Sequence, residues 1–511
     1  MAQYDIIIIG TGAGGGTLVH ALKDSGKKIL VVERGTYLPR EKENWDSIAV
    51  FQHDRYHTKE VWKTDTGKDF HPQTGYWVGG NTKVYGAALF RLRENNFESV
   101  QHHDGITPEW PLKYKDFEPY YTKAEELFNV HGKMGEDPTE PFRSAEYPNP
   151  PVSHEPRIQQ INDALLAGGY HPFSLPIGVR LVEGDPLNSP CIRCNTCDGF
   201  PCLIHAKADA DINCVRPSLP NTNVTLMTEV KATKLITDAS GKNVTSVEAE
   251  RGLEKFTFSA DIIVVAAGAV NSAILLLRSA NNVHSNGLAN GSDMVGRHLM
   301  KHHNAAMLAI STKPNPTKFQ KTLAVNDFYW GDDEFKFPMG HVQLMGKSNR
   351  DQISPDAPFF TPGIVMDEMA SHSVDWWFTG EDLGLPENRV FIKNDEINIA
   401  YTETNTEGIS RLKDKWSHIL RETDDAKYFV PHSLYLKKNI PLEGLAHQCG
   451  TCRFGEDPKT SVLDTNCKTH EVDNLYVVDG SFFPSSGAVN PSLTIIANAL
   501  RVADHLMERM K

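Results

Sequence analysis

Residues 4–33 read YDIIIIGTGAGGGTLVHALKDSGKKILVVE, and the order of residue types in this stretch decides the fold. An apolar strand, Ile6–Ile9, runs into Gly10-x-Gly12-x-x-Gly15. A helix follows through Leu22, and a second apolar strand, Ile29–Val32, ends at Glu33. This is a complete strand–helix–strand unit with the dinucleotide fingerprint. Gly10 permits the tight turn, Gly12 lets the main chain approach a pyrophosphate, and Gly15 lets the helix lie close on the strand. Glu33 stands where a carboxylate accepts hydrogen bonds from ribose hydroxyls. A bare glycine pattern carries little weight. Strand, helix and terminal acid together predict ADP-moiety binding in an α/β, Rossmann-type fold.

The bulk properties bound the rest. A chain of 511 residues, 40% of them hydrophobic, can bury a large core and is expected to form more than one lobe. Lys and Arg number 52 against 65 Asp and Glu, a net charge of −13 with no basic block, which argues against nucleic acid or an anionic membrane as partner. The first strand begins at Tyr4, leaving no room for a signal peptide, and no apolar run reaches about 18 residues. The expectation is a soluble cytoplasmic protein, whose eight cysteines read as thiols or ligands more readily than as disulfides.

Toward the C-terminus, Ala446 opens AHQCGTCRFG, and residues 474–506 read NLYVVDGSFFPSSGAVNPSLTIIANALRVADHL. A strand, Leu475–Val478, is expected to end at Asp479-Gly480, and a helix to open with Asn490 as cap and Pro491 in its first turn. Leu493, Ile496, Leu500, Ala503 and Leu506 make its apolar face. A helix start carries about half a positive charge, so polar groups around it, with His447 upstream, mark a place where negative charge develops. Between the two ends, Gly79-Gly80-Asn81 lies in WVGGNTKVYG, where paired glycines allow a flat ring system to lie against main chain. Residues 261–279, DIIVVAAGAVNSAILLLRS, predict another strand, a small-residue turn and a helix. A hairpin is expected from Arg389–Ile392 and Ile397–Tyr401, and no internal repeat or low-complexity linker is visible.

Six segments taken together, GTGAGG with Glu33, GGNTKVYG, AAGAVNS, GRHLMKH, HQCGTC and VDGSFFPSSGAVNPSLT, resemble in content and order the glucose–methanol–choline (GMC) oxidoreductases, flavoproteins that oxidise alcohols. The resemblance implies a Rossmann-type FAD domain assembled from residues 1–45, 75–105, 205–300 and 441–511. A substrate-binding domain and cap with an antiparallel sheet would take 46–74, 106–204 and 301–440. It places the FAD contacts at Gly10, Gly12, Ala13, Gly14, Gly15, Glu33, Arg34, Gly79, Gly80, Asn81, Val230, Ala267, Gly268, Asp479, Gly480, Asn490, Pro491 and Ser492. The catalytic pair falls on His447 and Asn490. An imidazole with an ordinary pKa near 6.5 suits removal of a hydroxyl proton at neutral pH. Asn490 would orient the hydroxyl while the flavin N5 takes the hydride. Some sugar-oxidising relatives link FAD through a His where this chain has Val84, so the FAD is expected to be non-covalent. GGNTKVYGAALFRLR is similar to bacterial relatives that oxidise pyranosides or C-glycosides, which implies a secondary hydroxyl on ring carbon 2 or 3.

Other features carry alternatives. Cys191, Cys194, Cys197 and Cys202 in CIRCNTCDGFPC could hold an iron–sulfur cluster or zinc, with structural thiols or a disulfide the favoured reading. A cluster would fit a dehydrogenase passing electrons to a quinone or cytochrome rather than to oxygen. A third possibility is a flavoprotein lyase or a non-redox flavin-binding protein. Cys449 and Cys452 are read as packing residues, His302 and His303 as structural groups near the flavin, and Trp376 and Trp377 as core aromatics rather than a sugar platform.

Overall fold

The computed structural model describes residues 3–354, 361–432 and 447–511. Five parallel strands build the first sheet: β1 (Tyr4–Ile9), β2 (Ile29–Val32), β3 (Val224–Met227), β4 (Ala260–Val265) and β5 (Leu475–Val477), in spatial order β3-β2-β1-β4-β5. Their Ile and Val runs are almost wholly buried, as a parallel sheet covered on both faces requires. Strands so far apart in sequence become neighbours because the chain leaves this sheet after β2 and again after β4. These strands come from three of the four segments expected to form the nucleotide domain; the boundary expected at 440/441 lies outside the described residues, as does Ala446.

Three helices bear on the site. Helix α1 (Ala13–Leu22) follows β1 as expected, α2 (Ala269–Arg278) follows β4, and α3 (Ser492–Arg509) closes the chain and packs on α1. Helix α3 buries Leu493, Ile496, Val502, Ala503 and Leu506, each fully buried Leu or Ile contributing roughly 1.5–3 kcal/mol. Its start corrects the sequence reading: Pro491 occupies the cap and Asn490 lies one residue before it. The displacement leaves the Asn490 side chain free of the capping duty assigned to it.

A second, six-stranded antiparallel sheet runs in the spatial order 426–432, 303–311, 373–380, 341–344, 323–325, 172–174. Its two faces do different work, because successive side chains alternate. Trp376, Phe378, Val342, Leu344 and Met307 pack with Trp416 of the helix Thr406–Asp424, the Trp376 and Trp416 rings meeting edge to face at 4.9 Å. Asn304, Gln343, Trp377 and Thr379 lie on the opposite face, Asn304 across from Thr379 and Gln343 across from Trp377. The expected hairpin forms from Arg389–Lys393 and Glu396–Ala400, turning through Asn394 and Asp395, both at positive φ.

Candidate active site

A cavity of about 830 Å³ runs along the carboxyl ends of β1, β2, β4 and β5 and reaches under the second sheet. Both ends of the sequence contribute to its wall: Gly10, Gly12, Ala13, Gly14, Glu33 and Arg34 from one, and His447, Asp479, Gly480, Asn490, Pro491 and Ser492 from the other. Gly80, Asn81, Val84, Val230, Ala267 and Gly268 line it too. Two of the predicted contacts do not. Gly15 is a packing residue, since a Cβ there would come 2.1 Å from the Gly10 carbonyl oxygen, and Gly79 is wedged at positive φ against Asp211 and Lys83.

The nucleotide end has the form of a cradle. A Cβ on Gly12 or on Gly268 would meet nothing within 4 Å, so bare backbone faces open space at both turns. The start of α1 has no acidic side chain and no side-chain cap, which leaves its first N–H groups to an anion. Glu33 accepts from the Thr11 amide at 3.0 Å, the Thr11 hydroxyl at 2.6 Å and the Gly35 amide at 2.8 Å. Burial pushes its carboxyl up, and those donors pull it back down. Arg34 is held by Glu60, and its guanidinium carbon lies over the Tyr76 ring, 3.6 Å from the centroid. Asp479 ties β5 to the turn before α2, accepting from the Gly268 amide and the Ser481 amide, each at 2.9 Å. These features fit a dinucleotide such as FAD, with the pyrophosphate on α1 and the ribose on Glu33.

At the other end stands His447. The segment 447–452 is stitched on one side to Gly480 and Ser481 and on the other to Met300, through a two-way antiparallel bridge between Met300 and Cys449. Gly450 is required here: it sits at φ +90°, and a Cβ would come 2.2 Å from the His298 carbonyl oxygen. Burial first, and then the neighbouring His302, push the His447 imidazole down to about 3. Asn490 lines the same cavity, and its Oδ1 is buried with no hydrogen-bond partner. An amide oxygen in that state is costly unless a ligand donor reaches it.

The sequence reading missed several members of the site. Asn304, Gln343 and Trp377 line the cavity from the second sheet, and Lys321 paired with Asp198 joins them. Trp377 is thus a wall residue rather than core, and only Trp376 is fully buried. His302 touches His447, whereas His303 turns away to the Thr404 carbonyl. No sequence signal marked Asn304 or Gln343. Asp198 lay unremarked inside the cysteine-rich segment.

The eight cysteines are all free thiols, the thiol side of the favoured reading and not the disulfide, and among the described residues no group of three or more His, Cys, Asp or Glu side chains is arranged to hold a metal. Cys202 Sγ accepts from the Ala206 and Lys207 amides at 3.3 and 3.4 Å, and burial pushes the Cys191 thiol up to about 11. Nor is any helix among the described residues long and apolar enough to cross a membrane.

Comparison with known proteins agrees with this geometry. Models of the GMC oxidoreductase family match residues 4–304 and 421–499. The 6'''-hydroxyparomomycin C oxidase of Streptomyces lividus is 30% identical across 98% of this chain and 92% of its own. The fructose dehydrogenase large subunit of Gluconobacter japonicus is 25% identical, over 99% and 98%. Among solved structures, the pyridoxine 4-oxidase from Mesorbium loti superposes with a TM-score of 0.67 at 19% identity, covering 99% of both chains, which bears on the fold alone. The family models and the full-length relative settle the assignment: this chain belongs to the GMC oxidoreductases, a family of FAD-binding enzymes.

Proposed function

We propose that this chain oxidises a CH–OH group of a sugar or glycoside, a secondary hydroxyl on pyranose carbon 2 or 3, using non-covalently bound FAD. The observation that carries the proposal is the unpartnered Asn490 Oδ1 in the same cavity as the uncharged His447. Asn490 accepts the donor of the sugar hydroxyl network and fixes its orientation. His447 receives the hydroxyl proton at Nε2, a task open to it because burial keeps its ring neutral throughout the physiological range. Bound in the cradle, FAD would supply the acceptor for the two electrons that leave the carbon. Trp377 offers an aromatic wall, and Asn304 and Gln343 offer amides for ring hydroxyls. Val84 lines the cavity and has no nucleophilic atom, which supports a dissociable cofactor. Relatives named as oxidases and as dehydrogenases are consistent with oxygen or another acceptor for the second half-reaction.

The test is anaerobic mixing of the FAD-loaded protein with pyranoses, glycosides and simple alcohols, following the flavin absorbance. Sugars are expected to bleach it, and His447→Ala to keep its FAD while slowing reduction by about 10²–10⁴-fold. Absence of bleaching by every alcohol would overturn the proposal, as would a normal rate in the His447 variant.

A further inference from the structure

His447 and His302 face each other ring to ring. Their Nδ1 atoms are 3.1 Å apart, with the ring planes at 86°. The contact follows from register. Met300 bridges Cys449 in antiparallel sense, and two residues on from one partner and two back from the other lie His302 and His447. Side chains two residues apart share a face, so this bridge delivers the two imidazoles to each other. Only one hydrogen fits a 3.1 Å gap between two ring nitrogens.

Which ring supplies it is fixed on the far side of His302. His302 Nε2 lies 3.2 Å from the Ser486 carbonyl oxygen, and a carbonyl only accepts, so Nε2 carries a hydrogen. His302 is 1% exposed, and burial lowers its pKa, which keeps the ring neutral with a single N–H. Its Nδ1 is therefore a bare lone pair. His447 must place its own hydrogen on Nδ1 to meet it.

We propose that His302 is a positioning residue that sets the tautomer of His447, holding its proton on Nδ1 so that Nε2 presents a lone pair to the cavity. The inference rests on His447 being the base of the proposed reaction. When Nε2 takes the substrate proton, the Nδ1–H donates from a positively charged ring, and that bond becomes the stronger, charge-assisted kind. The proton balance is one in at Nε2 and none out at Nδ1, because His302 has no site from which to pass a proton onward while Ser486 holds its Nε2–H.

The backbone is built to hold His302 in place. It sits at φ +62°, in the left-handed region that a bulky side chain rarely adopts. The buried Asp382 carboxylate stabilises that conformation by accepting from the Lys301 amide at 2.8 Å and the His302 amide at 3.0 Å, with the Tyr401 hydroxyl donating to it at 2.7 Å. A non-glycine residue kept in a sparsely populated conformation by a dedicated buried anchor points to a function for its side chain.

The test reads the tautomer directly, with ¹⁵N-histidine spectra of the FAD-loaded protein and the His447 signals assigned from their loss in His447→Asn. The wild type is expected to show a protonated Nδ1 and a bare Nε2 on His447. His302→Asn keeps an acceptor oxygen near the original Nδ1 and tolerates positive φ, so it should retain that pattern. His302→Leu removes the acceptor and should move the proton toward Nε2. It should also slow flavin reduction by about 10- to 100-fold at saturating sugar, with little change in half-saturation, and His302→Asn should recover most of that loss. A wild-type His447 protonated on Nε2 would overturn the proposal even if His302→Leu fails to fold. So would a His302→Leu enzyme with unchanged tautomer or unchanged rate. Failure of the base assignment looks different: His447→Ala would reduce normally while the wild-type tautomer pattern remained as described.

Discussion

Glu381 offers a test of the electrostatics beneath the site. It follows the strand Ser373–Gly380, is 5% exposed, and accepts from the Gly487 amide at 2.7 Å, with His102 Nε2 3.4 Å from its other oxygen. Burial raises its carboxyl to about 8, with the neighbouring Asp382 adding to the shift, while His102 is itself pushed down to about 4 and stays uncharged. The pKa is raised in the fold, so the folded state keeps a proton that the unfolded chain has lost between 4.5 and about 8. Its contribution to stability is complete at low pH and is lost as pH rises through that window. At 1.36 kcal/mol for each pH step, the loss from about pH 5 to about pH 8 is on the order of 4 kcal/mol. Glu381→Gln has no proton to lose and can still accept from Gly487. Urea unfolding of both proteins near those two pH values isolates the group: the wild type should lose on the order of 4 kcal/mol more than the variant. Equal pH dependence in the two proteins would refute a buried, protonated Glu381.

Three further outcomes are expected. Lys83 is buried between Asp209 and Asp211 at 3.0 and 3.1 Å; Asp211 keeps its pairing with Arg216 at 2.9 Å, but Lys83→Met leaves the buried Asp209 carboxyl without a cation and should cost about 3–5 kcal/mol in denaturant unfolding. Gly14→Ala places a Cβ 1.9 Å from the Val478 carbonyl oxygen, main chain against main chain, and should show as a large drop in melting temperature with loss of bound FAD. Trp377→Ala removes the aromatic wall of the cavity without touching His447, and steady-state kinetics should show KM rising about 10-fold or more with kcat changed far less.

How much of this was legible in the sequence depends on how local each cause is. The unit from Tyr4 to Glu33 was readable because a buried strand, a tight turn and a helix each leave their mark within a few residues, and the structure places them within two residues of the expected limits. The nucleotide end of the cavity was readable for the same reason, since close backbone approaches at Gly10 and Gly14 tolerate nothing larger, whereas His447 and Asn490 were picked out by motif resemblance. The contact of His302 with His447 was not, because it is set by a bridge between Met300 and Cys449, 149 residues apart in sequence, and nothing near either histidine announces the register. Trp376 and Trp377 show the same limit: both faces of their sheet are covered, so alternation says that they point apart but not which one meets the cavity. For the cysteines, spacing alone left a ligand set open beside the favoured structural reading, and only the folded segment shows them as free thiols with no metal-holding group among the described residues.

The charge state of the site narrows what it is suited to bind. His447, His302 and His102 are all held below their ordinary range by burial, and Glu381 is held above its own, so four titratable groups in and behind this part of the cavity are uncharged at neutral pH. Of the charged residues that line the cavity, Lys321 and Asp198, beneath the second sheet, pair with each other. A neutral hydroxyl-bearing molecule enters such a site without the cost of burying a charge that has no partner there. In the proposed reaction the charge then appears on His447, where a neutral acceptor already in contact is better than a second ionised group. A carboxylate in place of His302 would raise the resting affinity of His447 for protons and risk filling Nε2 before substrate arrives. A neutral imidazole fixes the same tautomer without doing so, which is a physical reason for the pairing of two histidines at this position.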